Sequence, residues 1–271
     1  AFLAPYSDKS LIREAFTFKL AAEILDWAPD FRFVEVTLNN QYQGVYMVTE
    51  KLKRDKNRVA IDELEDTDNF GDELTGGYIF SLDKVSAGNN VFDSKVNYTG
   101  KTRAPYYVVN YPRADRITIA QNNYIRDYVM GFENLMRSNA FGDSLTGYRN
   151  ALDVSAFVDF FLLNELTRNV DGYRLSTYFK KDKTSINGKL GIAGVWDYNI
   201  ALGNADYCGG NLTYGWAFDF NKVCGDDYWL LPAWMNRLAN DSYFRLKMKE
   251  RWHTLRKNVF DTNRINGTLD S

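Results

Sequence analysis

Over residues 9–27 apolar side chains return at helical spacing, at Leu11, Ala15, Phe18, Ala22 and Leu25, and Asp8 stands where an N-cap belongs. The pattern then changes to a strand over residues 33–38, an Asn39-Asn40-Gln41 turn and a second strand over 44–52, which predicts a hairpin. Alternation along the second strand puts Tyr46, Val48 and Glu50 on one face and Val45, Met47, Thr49 and Lys51 on the other. Further strand-like runs cover 77–83, 91–98 and 105–110, so residues 1–120 read as a mixed, sheet-rich part.

Beyond Gln121 the period becomes helical, with Tyr124, Tyr128, Phe132, Leu135 and Met136 on one face. A second helix, from Asp153 or Ser155 to about Asn169, is apolar nearly all round and predicts the buried centre of a helical half. Strands over 175–181 and 189–196 and a helix over 241–260 follow. With no repeat and no linker, the expectation is one α+β domain of two lobes sharing an interface, divided near residue 120. The chain opens at Ala1 inside an apolar phrase and closes abruptly, so further sequence is expected on both sides.

Charge and cysteine content narrow the function. Lys plus Arg (33) nearly cancels Asp plus Glu (35), which excludes the basic field that nonspecific nucleic-acid binding needs. No apolar run approaches the roughly 18 residues of a membrane span. Cys208 and Cys224 share one Gly-, Tyr- and Asp-rich loop, which suits a disulfide in an exported protein; two separate thiols in a reducing compartment are the alternative. The single histidine, His253, leaves a zinc site without ligands.

Candidate chemistry lies in two stretches. Glu165 projects from the apolar arc of its helix, where a carboxylate needs a partner; a salt bridge to a core Arg or Lys is expected. Asp171 follows that helix, and Asp197 ends the strand over 189–196. Asp171 has a plain structural reading, as a local cap or turn residue, and paired acids often serve structure. Acids at neighbouring element ends beside Trp196 and Tyr198 also match what phosphoryl transfer asks for: one carboxylate near the attacking hydroxyl and one on a hard cation.

The segments Leu38-Asn39-Asn40 through Gly44-Val45-Tyr46 to Glu50, Asn164-Glu165-Leu166 through Asp171-Gly172-Tyr173, and Val195-Trp196-Asp197-Tyr198 through Leu202-Gly203-Asn204 resemble signature phrases of the spore coat protein H (CotH) family of atypical kinases. The opening Leu3-Ala4-Pro5-Tyr6 with Arg13, and Trp234 to Leu238 with Arg251-Trp252, extend the similarity over almost the whole chain. The resemblance implies a much-altered kinase fold that phosphorylates proteins with ATP and Mg²⁺ or Mn²⁺. It makes Asp171 the catalytic acid–base residue and Asp197 the metal-binding Asp, with Asn199 beside it where many relatives carry a second Asp. Trp196 and Tyr46 would hold adenine, and Glu50 and Lys51 would position phosphates. Ser176 occupies the place where ordinary kinases hold a second metal through Asn. A weakened kinase, or an envelope module that binds glycan or protein through its many Tyr and Trp, therefore stays open beside an active, monomeric kinase with an unnamed protein substrate.

Overall fold

Asn39 and Asn40 both take left-handed backbone angles, φ 50 and 63°. That two-residue turn matches the twist of the strands it joins, β2 (Phe31–Leu38) and β3 (Gln41–Thr49). β3 begins earlier than its sequence pattern suggests, because a shift in register between Val36 and Thr37 carries the pairing past Gly44 to Tyr42 and Gln41. A short strand, β1 (Phe2–Leu3), pairs with the other edge of β3 and completes a three-stranded antiparallel sheet. Met47 and Thr49 are its buried residues, in agreement with the alternation. The computed structural model describes residues 1–270.

Helix α1 (Arg13–Ala21) is shorter than the expected 9–27. Asp8 folds the lead-in instead of capping a helix at residue 9: its carboxylate accepts from the backbone N–H groups of Ser10 (3.0 Å) and Arg13 (2.9 Å) and pairs with the Arg13 guanidinium. Leu11, at φ 66°, delays the first helical turn.

A five-stranded antiparallel sheet in the order β5-β6-β4-β7-β8 joins the two halves of the sequence. Its strands are β4 (Tyr78–Leu82), β5 (Asn90–Asp93), β6 (Tyr106–Tyr111), β7 (Thr177–Lys181) and β8 (Leu190–Gly194). Since β4 pairs with β7, a division at residue 120 cuts through a continuous sheet. Helix α2 (Ile119–Arg137) starts at a capping box of Thr118 and Gln121; α3 (Tyr148–Ala151) and α4 (Val154–Thr167) follow. Phe157, Phe161 and Leu163 of α4 are fully buried, so this helix is the core element its composition predicts. After the short α5 (Thr184–Asn187) and α6 (Phe220–Val223) come α7 (Ala233–Ala239), α8 (Ser242–Leu255) and α9 (Thr262–Leu269). The fold is mixed α/β, and one apolar core runs from Phe18 and Met47 through Phe80 to Phe161 and Phe244.

Glu133 of α2 lies inside this core, 2% exposed, accepting from the Ser94 hydroxyl (2.6 Å) and the Tyr107 hydroxyl (2.8 Å). Burial raises its carboxyl above the ordinary 4.5, and the two bonds lower it less. The native state therefore holds that proton more tightly than the unfolded chain. The contribution to stability is greatest below the ordinary value and is lost as pH rises through the raised one. Glu133→Gln removes the charge and can keep a hydrogen bond to each hydroxyl, so its stability relative to the parent should climb in urea melts as pH rises above the ordinary value of 4.5. Glu133→Ala, which leaves the hydroxyls unpaired, should cost ~1–3 kcal/mol.

Candidate functional site

Helix α4 ends at Arg168, which takes the left-handed C-cap conformation with φ 46°. The chain returns toward β7 through Asp171 and Gly172. A Cβ at Gly172 would stand 2.5 Å from the side-chain Oδ1 of Asn164 and 3.0 Å from the Asn169 backbone carbonyl, so glycine is what lets this turn lie on α4. Tyr173 (φ 71°), Ser176 (φ 46°) and, at the end of β8, Asp197 (φ 67°) share the left-handed region. Such angles are uncommon outside glycine and gather where function holds the backbone in place.

Asp171 is fastened. One of its oxygens accepts from Arg174 at 2.6 Å, and Arg174 also reaches Asp227 (3.1 Å) and the carbonyls of Val170 (2.7 Å) and Trp229 (3.0 Å). The guanidinium, on a residue only 4% exposed, stacks 4.0 Å from the Phe220 ring centroid. Asp197 is held differently. Its backbone N–H donates to buried Glu14 of α1 (3.0 Å), while its carboxylate, reachable by solvent, accepts one long bond from Ser176 (3.4 Å). Asp83, directly after β4, accepts from the Tyr178 hydroxyl at 3.1 Å and adds its charge to both acids.

Burial raises the carboxyls of both Asp171 and Asp197 above the ordinary carboxylate range. Asp171 and Asp83 push Asp197 further up, whereas Ser176 and Lys84 pull it down. Glu14 is pushed up to about 7, by burial first and then by the charge of Asp197. The Tyr207 hydroxyl is raised chiefly by burial and then by Asp171, Asp227 and Asp197, so the loop before Cys208 belongs to the same electrostatic neighbourhood. Acidic groups thus outnumber the nearby cations, Lys84 and Arg174. A hard cation would relieve that excess.

Among the described residues, no three Asp, Glu, His or Cys side chains stand ready to hold an ion by themselves. Mg²⁺ and Mn²⁺ do not require that, since Mg²⁺ is commonly bound by one or two carboxylates with phosphate oxygens and water. The all-oxygen donor set and the unbalanced charge at Asp197 fit such an ion.

Other sequence expectations fare differently. Trp196 is half-buried and its ring stacks on Phe18 of α1, centroids 6.2 Å apart, which makes it part of the core wall. Tyr46 is half-buried on β3 opposite Val34, and among the described residues no ring contact joins it to Trp196. Glu50 pairs with Arg58 (2.9 Å) and accepts from the Asp30 N–H (3.3 Å), contacts that tie strand ends together. Lys51 is exposed. The amide of Asn199 donates to the Ser7 hydroxyl (2.7 Å), an engagement with the N-terminal segment that gives no support to a metal-ligand role.

Glu165 carries the largest correction. Its carboxylate is paired, but with no Arg or Lys: it accepts from the backbone N–H groups of Ala217 (2.7 Å) and Phe218 (3.0 Å) and from the Tyr173 hydroxyl (2.8 Å). Those donors make an ion pair unnecessary. Cys208 and Cys224 form a disulfide, Cα atoms 5.5 Å apart. Arg168 fixes the same loop by donating to the carbonyls of Gly209 (2.6 Å) and Gly215 (3.0 Å).

Sequence reasoning passed over Glu14, Asp83, Arg174, Tyr207 and Asp227. Arg174 left the clearest trace, the one cation between Arg168 and Lys180, three residues after Asp171. Its removal tests the frame of the site. Arg174→Met should cost about 3–5 kcal/mol in denaturant melts, because Asp171 and Asp227 lose a buried partner. A loss under about 1 kcal/mol, typical of an exposed pair, would contradict the structural role given to it.

A search of curated proteins returns no match. The sequence model of the family described as CotH kinase protein matches residues 1–271, the whole chain. On that match the chain belongs to the CotH kinase family.

Proposed function

We propose that the chain is a metal-dependent protein kinase that transfers the γ-phosphoryl group of ATP to a Ser or Thr hydroxyl of a protein substrate. The observation that carries this reading is the contrast between two neighbouring carboxylates. Asp171 is locked to Arg174, whereas Asp197 faces solvent with one long hydrogen bond. A fixed acid beside an available one is the division of labour phosphoryl transfer uses.

On this reading Asp197 holds the metal, with Ser176 and Asp83 close by, and Asp171 accepts the proton of the incoming hydroxyl. Mg²⁺ or Mn²⁺ supplied with ATP would neutralise phosphate charge as the bridging bond weakens. The hydroxyl oxygen bonds to the γ-phosphorus, the bond to the β–γ bridging oxygen breaks with its electron pair leaving on ADP, and the proton goes to Asp171. Arg174 keeps that carboxylate aimed, and burial strengthens its hold on the proton. Glu14 holds the backbone of Asp197 from α1. The three-stranded sheet and α1 serve as the smaller lobe over the nucleotide, α4 and later helices as the larger one, and Trp196 with Tyr46 borders adenine. The disulfide supports an exported location.

Thermal melts with ATP and Mn²⁺, paired with transfer of labelled phosphate to a protein acceptor, test the reading. The parent should be stabilised and should transfer phosphate. Asp197→Ala should lose the metal-dependent stabilisation. Asp171→Asn should keep it while transfer falls by ~10²–10⁴-fold. Stabilisation of the parent without transfer to any acceptor, itself included, would favour a pseudokinase. No stabilisation at all would remove the nucleotide reading.

A further inference from the structure

A groove of about 680 Å³ runs between α4 and α8, well furnished with apolar surface: Leu162 and Leu166 on one wall, Leu246, Met248 and Trp252 on the other. Trp216 and Phe218 close one end, their rings stacked with centroids 5.6 Å apart. Trp216 is 52% exposed and Leu246 50%. Adjoining exposed apolar side chains of this size mark surfaces that bind something.

The charge on the rim says what. Arg245 and Lys249 are exposed lining residues one helical turn apart on α8, and among the described residues neither forms an ion pair. The one carboxylate in the lining, Glu165, is engaged by Ala217, Phe218 and Tyr173 and offers those cations no counter-charge. The lining follows α8 from Ser242 to Trp252, about 15 Å at 1.5 Å per residue, the length of almost three turns of a docked helix.

We propose that this groove is a docking site for an acidic amphipathic helix of a protein partner. Apolar residues on one face of that helix fill the space over Met248 and beside Trp216. Two carboxylates one turn apart meet Arg245 and Lys249. Paired cations at helical spacing favour this occupant over a single-headed amphiphile, which brings one negative charge. The proposal does not depend on phosphotransfer, and the groove is held open by the contacts that Glu165 makes with the disulfide loop.

The test uses the whole chain and a synthetic peptide of about 14 residues, with Leu at i, i+3, i+4 and i+7 and Glu one turn apart beside them. Calorimetry should show saturable one-to-one binding, and a matched peptide with Lys in place of Glu should not bind. Arg245→Glu with Lys249→Glu should weaken the Glu peptide by at least about tenfold and permit binding of the Lys peptide, because the charges are then swapped. Leu246→Asp should remove binding of both. All three positions are exposed, so unchanged melting temperatures serve as the folding control. Equal binding of the Glu and Lys peptides, or binding of neither, would overturn the proposal. Laurate displacing the peptide one-for-one with higher affinity would reassign the groove to a small amphiphile, and self-association that excludes the peptide would reassign it to a second copy.

Discussion

The acid cluster depends on the buried guanidinium of Arg174. It joins Asp171, Asp227 and two backbone carbonyls around one cation, and so fixes the return from α4 to β7 against the segment that follows Cys224. Without it, the carboxylates of Asp171 and Asp227 would lose the cation that stands between them. With it, Asp171 stays aimed at the place where a second acid, Asp197, arrives from β8. One cation thereby serves both folding and the geometry of the proposed chemistry.

Helix α4 supplies the rest of the framework. Its buried apolar residues place it in the core, which leaves its C-terminal polar residues, Asn164, Glu165 and Arg168, to organise everything downstream. Asn164 accepts from Tyr198, the residue after Asp197, at 2.9 Å. Glu165 and Arg168 pin the loop that the disulfide closes over a sequence separation of 16. Across the site, Glu14 of α1 reaches the backbone of Asp197. Both acids therefore sit on turns tied to α4, with α1 adding a second hold on Asp197, and a change in how α1 meets α4 would move Asp197 relative to Asp171.

Much of this was legible in the sequence where burial writes a periodic pattern. The hairpin with its Asn39-Asn40 turn, the strand over 77–83 and the nearly all-apolar α4 lie close to where their patterns put them. Asp171 and Asp197 were legible as acids at the ends of regular elements. Partners that belong to the backbone were not: Glu165 reads as a buried carboxylate, but the N–H groups of Ala217 and Phe218 that satisfy it carry no residue identity. The start of α1 was hidden because left-handed Leu11 interrupts an otherwise helical spacing. Asp83 and Asp227 join the site only through sheet pairing and loop folding, so nothing local distinguishes them from surface acids.

The most direct measurement of the central claim is a crystal structure of the chain with an ATP analogue and Mn²⁺, with the ion located by its anomalous scattering. The expected result is a Mn²⁺ peak on the Asp197 carboxylate and on phosphate oxygens, with Asp171 still paired to Arg174 and facing the terminal phosphate. An ion and nucleotide bound away from Asp197, or bound there with Asp171 turned from the phosphate, would contradict it.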